Sequence, residues 1–289
     1  FYGTGVALVT PFNDDSTIDF QGLEKLINFQ IEGGVEYLVS LGTTGETATL
    51  SQEEKKAVWE FTANVVDKRV PLVAGIGGNS TNNIIRDLQS FSAEGYDAVL
   101  SVSPYYNKPN QEGIYLHYKA IAESSPLPVI LYNVPGRTGS NISAETTLRL
   151  AHDFNNIIGT KEASGNFEQF SFILKDKPEN FLLISGDDPV ALPMIAMGAA
   201  GVISVVANAC PAIFSRMIRF CLEERFKEAQ PLHLQLVQLI RLLFIDGSPG
   251  GVKSALNCLD ICSKTVRLPL TGVSEDTFKK IQHEMEKLR

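Results

Sequence analysis

The sequence predicts a (β/α)8 TIM barrel followed by a C-terminal helical extension. Three observations carry that reading. Eight short Val/Ile/Leu-rich runs alternate with amphipathic stretches along most of the chain. None of the runs alternates strictly between apolar and polar residues, as expected of parallel strands covered on both faces. The stretch after the eighth run is mostly helical in pattern. Eight strand–helix units in succession favour a closed barrel over an open doubly wound sheet.

The strands are expected at "GVALVT" (5–10), "EYLVSLG" (36–42), "PLVAGIG" (71–77) and "DAVLSVS" (97–103), then at "PVILYN" (128–133), "NIIGTK" (156–161), "FLLISG" (181–186) and "GVISVV" (201–206). Helix signals fall between them. "DFQGLEKLINFQIEGG" opens with Asp19 in a capping position and closes on Gly33 and Gly34. "SQEEKKAVWEFTANVV" opens with a Ser51-to-Glu54 capping box. "SAETTLRLAHDF" repeats the box from Ser143 to Thr146, with Thr in place of the usual Glu or Gln. The expected domains are a barrel over residues 1–222 and a helical domain over 223–289.

Composition excludes several function classes. The 289 residues are 44% hydrophobic and 20% charged, with mean hydropathy near zero, which is an ordinary soluble globular balance. The net charge is -8 and the Lys and Arg residues are dispersed, so no basic patch suits a nucleic-acid backbone. No apolar run approaches the roughly 18 residues of a membrane span. The opening "FYGTGVALVTPF" has no basic n-region, so it is not read as a signal peptide. It also lacks Met, and native residues are expected to precede it. The four cysteines (Cys210, Cys221, Cys258, Cys262) match neither zinc nor redox spacing. Cys258 and Cys262, one helical turn apart, read as small core residues. A reduced, cytoplasmic protein is the simplest expectation. The histidines (His117, His152, His233, His283) are scattered on helical segments and are read as surface residues, with no metal expected.

In a TIM barrel, chemistry sits on the loops after the strands. Those segments are Thr10-Pro11, "GTTGE" (42–46), "GGNS" (77–80), "PYYNKP" (104–109), "NVPGRTG" (133–139), Lys161-Glu162, "SGDDP" (185–189) and "VANA" (206–209). Hydroxyls, tyrosines, one arginine and one lysine therefore converge on one rim. An amine in a partly apolar barrel mouth has its ammonium form disfavoured and becomes nucleophilic toward carbonyls. A lysine Schiff base to a ketone then serves as an electron sink. Tyr132, ending the fifth strand, is placed to shuttle protons. The Thr43-Thr44-Gly45 turn offers hydroxyls and backbone N–H groups to a 2-oxo acid's carboxylate. Arg137 suits a second carboxylate through a bidentate grip. Plainer readings stay open on these residues alone. Lys161 can be a solvated strand end, Tyr132 and Tyr106 core aromatics, "GTTGE" a tight turn, and Arg137 the partner of Glu46 or Asp187.

"GTTGE", "PYYNKP", "YNVPGRTG", "IIGTKEASGN", "SGDD" and "GVISV" resemble, in order and nearly without gaps, the successive signatures of the dihydrodipicolinate synthase family, also called 4-hydroxy-tetrahydrodipicolinate synthase. The resemblance runs from "GTGVALVTPF" to the C-terminal helices. It implies a pyruvate-dependent class I aldolase-type barrel, assembled as a homotetramer built from two dimers. The implied reaction condenses pyruvate with L-aspartate 4-semialdehyde to 4-hydroxy-tetrahydrodipicolinate, on the diaminopimelate route to lysine. It uses no cofactor beyond a covalent Schiff base. By position, Lys161 would carry that Schiff base and Tyr132 would donate and accept protons. Thr43 would link Tyr132 to Tyr106, which in the family comes from the neighbouring subunit. Thr44, Gly186 and the Ile203 backbone would bind substrate, and Arg137 would hold the carboxylate of the semialdehyde. One departure is Ser248 in "IDGSPGGVK", where better-known members have asparagine. It is expected to lie away from the Schiff-base motif and to affect the fit of the C-terminal helices.

A sibling aldolase, an N-acetylneuraminate lyase or a 2-keto-3-deoxy sugar acid aldolase, would keep the turn, the tyrosine and the lysine. Arg137 argues for the synthase, because a polyhydroxylated sugar tail wants hydroxyl and carboxylate partners. A barrel retained only for binding or regulation would have lost a member of the relay, and none is lost.

Overall fold

A computed structural model of the chain describes residues 1–288. Eight strands form a closed barrel in sequence order: β1 (Gly3–Ala7), β2 (Tyr37–Ser40), β3 (Leu72–Gly75), β4 (Ala98–Val102), β5 (Val129–Asn133), β6 (Ile157–Glu162), β7 (Leu182–Ser185) and β8 (Gly201–Ser204). Every neighbouring pair is parallel, including β8 with β1. The (β/α)8 architecture read from the sequence is the one observed.

Each strand buries both faces, which is why the sequence shows near-continuous apolar runs. Tyr37, Val39, Val73, Leu100, Ile130, Tyr132, Ile184 and Ile203 fill the barrel interior. Their neighbours Leu38, Leu72, Val99, Leu131, Leu183 and Val202 face the helical layer. β1 lies earlier than the expected 5–10. It starts at Gly3 because Gly3 pairs with Gly201, where a Cβ would stand only 2.0 Å from the Gly3 carbonyl oxygen. It ends early because the Val9 N–H leaves the sheet for the Asn208 side chain at 3.2 Å.

The pairing of β5 with β6 contains a register shift. Val129 pairs with Ile157, but Ile130 pairs with Gly159, so Ile158 is an extra residue. An inserted residue reverses the facing of everything beyond it. Simple alternation from the outward Ile157 would turn Lys161 outward. The shift instead sets Lys161 opposite Tyr132 and Glu162 opposite Asn133, the first pair inward and the second outward.

The helix caps follow the sequence signals. Asp19 accepts from the Gly22 N–H, and Ser51 with Glu54 makes a reciprocal capping box. At Ser143 the box is completed from another helix. Ser143 Oγ accepts from the Thr146 N–H, while Gln111 Oε1 accepts from both the Ser143 N–H and the Thr146 hydroxyl. Gln111 thus does what the missing Glu would have done, and ties two neighbouring barrel helices together.

After β8 come the helices Pro211–Leu222, Phe226–Ile245, Gly250–Asn257 and Glu275–Lys287. The short helix Gly250–Asn257 is buried almost throughout. At Gly251 a Cβ would lie 2.4 Å from the Leu243 carbonyl oxygen, so only glycine permits this approach. Cys262 is buried, whereas Cys258 caps this helix and is half-buried, so only one of that pair is a core residue.

His117 is not a surface residue. It lies 5% exposed within the helix Gln111–Ser124, with Nδ1 2.8 Å from the Thr81 hydroxyl. Burial holds its imidazole well below the ordinary value of 6.5, at about 4. The unfolded chain takes up that proton first, so the fold loses stability as pH falls from the ordinary value toward the depressed one. Asp188, buried and pushed up to about 6, works in the opposite sense as pH falls, because the folded state takes up its proton first. The difference between wild type and His117→Asn isolates the histidine. Between about pH 7 and pH 4 the wild type is expected to lose about 2–3 kcal/mol more than the variant, measured from urea unfolding midpoints. Equal losses would show that the imidazole is charged or hydrated inside the fold.

Candidate active site

The C-terminal ends of β2 to β5 and the loops after them line a cavity of about 410 Å³, within the range that holds small ligands. Thr43, Tyr132 and Arg137 line it, together with Ser248 and Leu270 from beyond the barrel strands. Ser248 therefore sits on the cavity wall and not merely in the packing of the C-terminal helices.

Lys161 is 5% exposed. Its Nζ stands 4.3 Å from the centroid of the Tyr132 ring, the residue paired with it across β5 and β6. Among the described residues it has no hydrogen bond or ion pair. That is unusual, since a buried lysine nearly always has a partner. Burial raises the Asp187 carboxyl, and the nearby Lys161 charge pulls it partly back. "SGDD" and the lysine thus share one electrostatic neighbourhood. Tyr132 is buried on the cavity wall, and its hydroxyl makes no hydrogen bond among the described residues.

The remaining candidates lie on or directly after other strands of the barrel, or in the loops that follow them. Thr43 and Thr44 belong to a single helical turn, Thr43–Gly45, directly after β2. Neither hydroxyl has a partner among the described residues. Ile203 is fully buried in the barrel interior on β8. Gly186 follows β7 and donates its N–H to the Glu162 carbonyl at 2.8 Å. A Cβ on Gly186 would meet that of Ala163 at 2.8 Å, so the two loops can close only over glycine.

Arg137 sits in the turn Pro135–Thr138, which Gly139 ends with φ 69°. Its guanidinium is exposed and, among the described residues, unpaired. The alternative pairing with Glu46 is excluded, because Glu46 binds Lys253. Tyr106 is not brought to the cavity of its own chain. It is 89% exposed, at φ 73°, with its N–H on the Thr138 carbonyl at 3.2 Å. Among the described residues no three His, Cys, Asp or Glu side chains converge as metal ligands do.

A model of the dihydrodipicolinate synthetase family matches residues 1–288. The chain belongs to that family. It is 50% identical to the 4-hydroxy-tetrahydrodipicolinate synthase of Parabacteroides distasonis over 286 residues, covering 99% of this chain and 96% of that one. Against the enzyme of the same name from Flavobacterium psychrophilum, identity is 52% over 281 residues, covering 97% and 96%. Among solved structures, the chloride-inhibited dihydrodipicolinate synthase of Acinetobacter baumannii, in complex with pyruvate, superposes with a TM-score of 0.95 at 40% identity, covering 99% and 98%. The family is the one that the motifs resemble.

This family member also carries a buried polar assembly that the sequence reading left out, although Glu162 stands directly after the lysine. Both Glu162 carboxylate oxygens lie 3.0 Å from Asn133 Nδ2. The carboxylate also accepts from the Ser164 N–H at 2.9 Å and from Gln169 Nε2 at 2.8 Å. Asn133 Oδ1 in turn accepts from the Ile142 N–H at 3.0 Å. Burial raises the Glu162 carboxyl, and these donors pull it back. The signal in the sequence was the parity of the two strands. If Tyr132 and Lys161 face in together, the residues after them face out together. Glu162→Gln would set an amide N–H₂ against donors, leaving a buried group unsatisfied. It is expected to cost about 1–3 kcal/mol, read from the urea midpoint. A stability equal to wild type would mean that water satisfies this carboxylate.

Proposed function

We propose that the chain condenses pyruvate with L-aspartate 4-semialdehyde through a Schiff base on Lys161, giving 4-hydroxy-tetrahydrodipicolinate. The observation that carries this reading is the amine of Lys161, buried beside the Tyr132 ring with no hydrogen bond or ion pair among the described residues. Relatives that bear the synthase name over nearly the whole chain support it. The Acinetobacter baumannii relative solved with pyruvate supports the first substrate.

The free amine adds to the ketone carbon of pyruvate, and the carbonyl oxygen leaves as water. The resulting iminium draws electrons from the adjacent methyl group, which gives up a proton to form the enamine. Tyr132 is the group that moves these protons, linked through Thr43 to a Tyr106 of a neighbouring copy. The enamine carbon attacks the aldehyde, whose oxygen takes up a proton. The amino group of the second substrate then adds at the former ketone carbon, closes the ring and releases Lys161. Thr44, Gly186 and the Ile203 backbone hold pyruvate, and the unpaired Arg137 receives the carboxylate of the semialdehyde. The route needs no metal or further cofactor. The working form is a cytoplasmic homotetramer, with a catalytic barrel over residues 1–222 and a helical domain over 223–289. The sibling aldolases lose ground, since an exposed guanidinium at the cavity wall matches a small carboxylated aldehyde better than a sugar tail.

Borohydride added with pyruvate is expected to fix a reduced pyruvyl group on Lys161, located by peptide mass, and Lys161→Ala should abolish it. Label on Lys108 or Lys253 would overturn the assignment. Arg137→Ala is expected to leave trapping largely intact while lowering kcat/KM for aspartate semialdehyde by roughly thirty- to a thousandfold, about 2–4 kcal/mol. An unchanged kcat/KM, or efficient cleavage of sialic acid by the wild type, would favour a sibling aldolase.

A further inference from the structure

We propose that Lys253 is a positioning residue, which acts through Glu46 to fix the turn that receives the carboxylate of the keto acid. The proposal rests on the assignment of Thr43–Gly45 to pyruvate binding.

Lys253 and Glu46 lie 207 residues apart in sequence, and both side chains are wholly buried. Lys253 Nζ donates to Glu46 Oε1 at 2.5 Å and to the Thr265 carbonyl at 2.8 Å. The other oxygen, Glu46 Oε2, accepts from the Arg267 N–H at 2.9 Å. The ring of Phe12, from the segment after β1, has Lys253 Nζ 4.1 Å and the Arg267 guanidinium carbon 4.4 Å from its centroid. The ammonium is therefore fully engaged, and it is not a second nucleophile.

Glu46 is the residue that ends the turn. Its N–H bonds to the Thr43 carbonyl at 3.2 Å, and its φ is 54°, a left-handed conformation that glutamate seldom adopts. Other bonds hold the same turn. Thr10 Oγ1 donates to the Gly45 carbonyl at 2.7 Å, and Thr47 Oγ1 donates to the Leu41 carbonyl at 2.6 Å. Each anchor attaches to backbone within or directly flanking the turn, or to Glu46, and none uses the Thr43 or Thr44 hydroxyl. Those hydroxyls stay available to a ligand while the chain beneath them is pinned.

A buried ion pair is a poor way to add stability, since apolar residues of similar volume often serve as well. What the pair supplies is direction. It fixes where the turn ends, and so where Thr43 and Thr44 stand relative to Lys161. The short buried helix Gly250–Asn257, seated through Gly251, delivers the ammonium. Through it the C-terminal helices take part in substrate binding.

The test separates holding the fold from aiming the turn. Glu46→Gln, Lys253→Met and the double variant are compared with wild type by thermal unfolding and by the pyruvate concentration that half-saturates borohydride trapping on Lys161. Each single variant, with one buried partner orphaned, is expected to unfold at lower temperature and to need more pyruvate. The double variant is expected to regain most of the thermal stability but still to need about tenfold more pyruvate than wild type. Wild-type half-saturation in the folded double variant would reduce the pair to a structural bond and overturn the proposal. Glu46→Asp keeps the charge and shortens its reach. It gives the same reading if the neutral pair does not fold, with raised half-saturation expected and a wild-type value again overturning the proposal. Failure of the wild type itself to trap pyruvate on Lys161 would count against the proposed function, a result distinguishable from either.

Discussion

The extra residue at Ile158 determines which side of the barrel wall each residue after it faces. Because β5 and β6 slip by one position there, Tyr132 meets Lys161 in the interior and Asn133 meets Glu162 behind the wall. The side chains of the inner pair have no hydrogen-bonding partners among the described residues, while the outer pair is saturated with them. Strand ends usually fray, since few bonds hold them. Here the amide–carboxylate contact stiffens both ends from outside, without using any atom that faces the cavity. Preorganisation of reactive groups depends on such support, because small displacements at a reacting centre are costly in rate.

Among the described residues two lysines are buried, and their surroundings are opposite in kind. Lys253 gives its hydrogens to a carboxylate and a carbonyl. Removing one member of such a pair typically costs about 3–5 kcal/mol, so addition of this amine to a carbonyl compound would forfeit that much at the outset. Lys161 has no comparable bond to lose. Burial alone therefore does not mark a nucleophile. Burial without a partner, beside an equally unpartnered tyrosine, is the feature on which the proposed function draws. The same reasoning applies to the arginines. Arg267 is held by Glu54, by Ser16 and by Thr49, whereas Arg137 on the cavity wall has no partner among the described residues.

How far the sequence could be read depended on the range of the interaction concerned. The eight strands were legible because parallel strands buried on both faces leave an unbroken apolar signature, and the cap residues because capping is local. The start of β1 was missed because "GTG" looks like a turn, and only the close pairing with Gly201 reveals why glycine is wanted there. The capping role of Gln111 was hidden for the same reason, as it belongs to a different helix from the cap it completes. His117 was misread because a histidine on an amphipathic helix carries no local sign of which face it occupies. At the candidate site the rim residues were legible from the strand ends. The register shift, the Glu46–Lys253 contact and the place of Ser248 on the cavity wall were not, since each depends on pieces of chain brought together by the completed fold.

Tyr106 presents the remaining tension within the structure. A large aromatic side chain 89% exposed forgoes burial worth about 1.5–3 kcal/mol, and its positive φ adds backbone strain of about 1–3 kcal/mol. Lys108, two residues on, is also left-handed at φ 45°. The loop is nevertheless held in place. Tyr106 bonds to Thr138, Asn107 Nδ2 donates to the Asn79 carbonyl, and Asn79 Nδ2 donates to the Tyr105 carbonyl. A loop bound this firmly in an unfavourable conformation is fixed so as to present its side chain outward. The bond to Thr138 also couples it to the turn that carries Arg137. Under the proposed function this arrangement is consistent, because a relay completed by a neighbouring copy needs a tyrosine that its own chain cannot use. On that proposal the cost falls on the isolated subunit, and burial of the ring against a neighbouring copy would recover it.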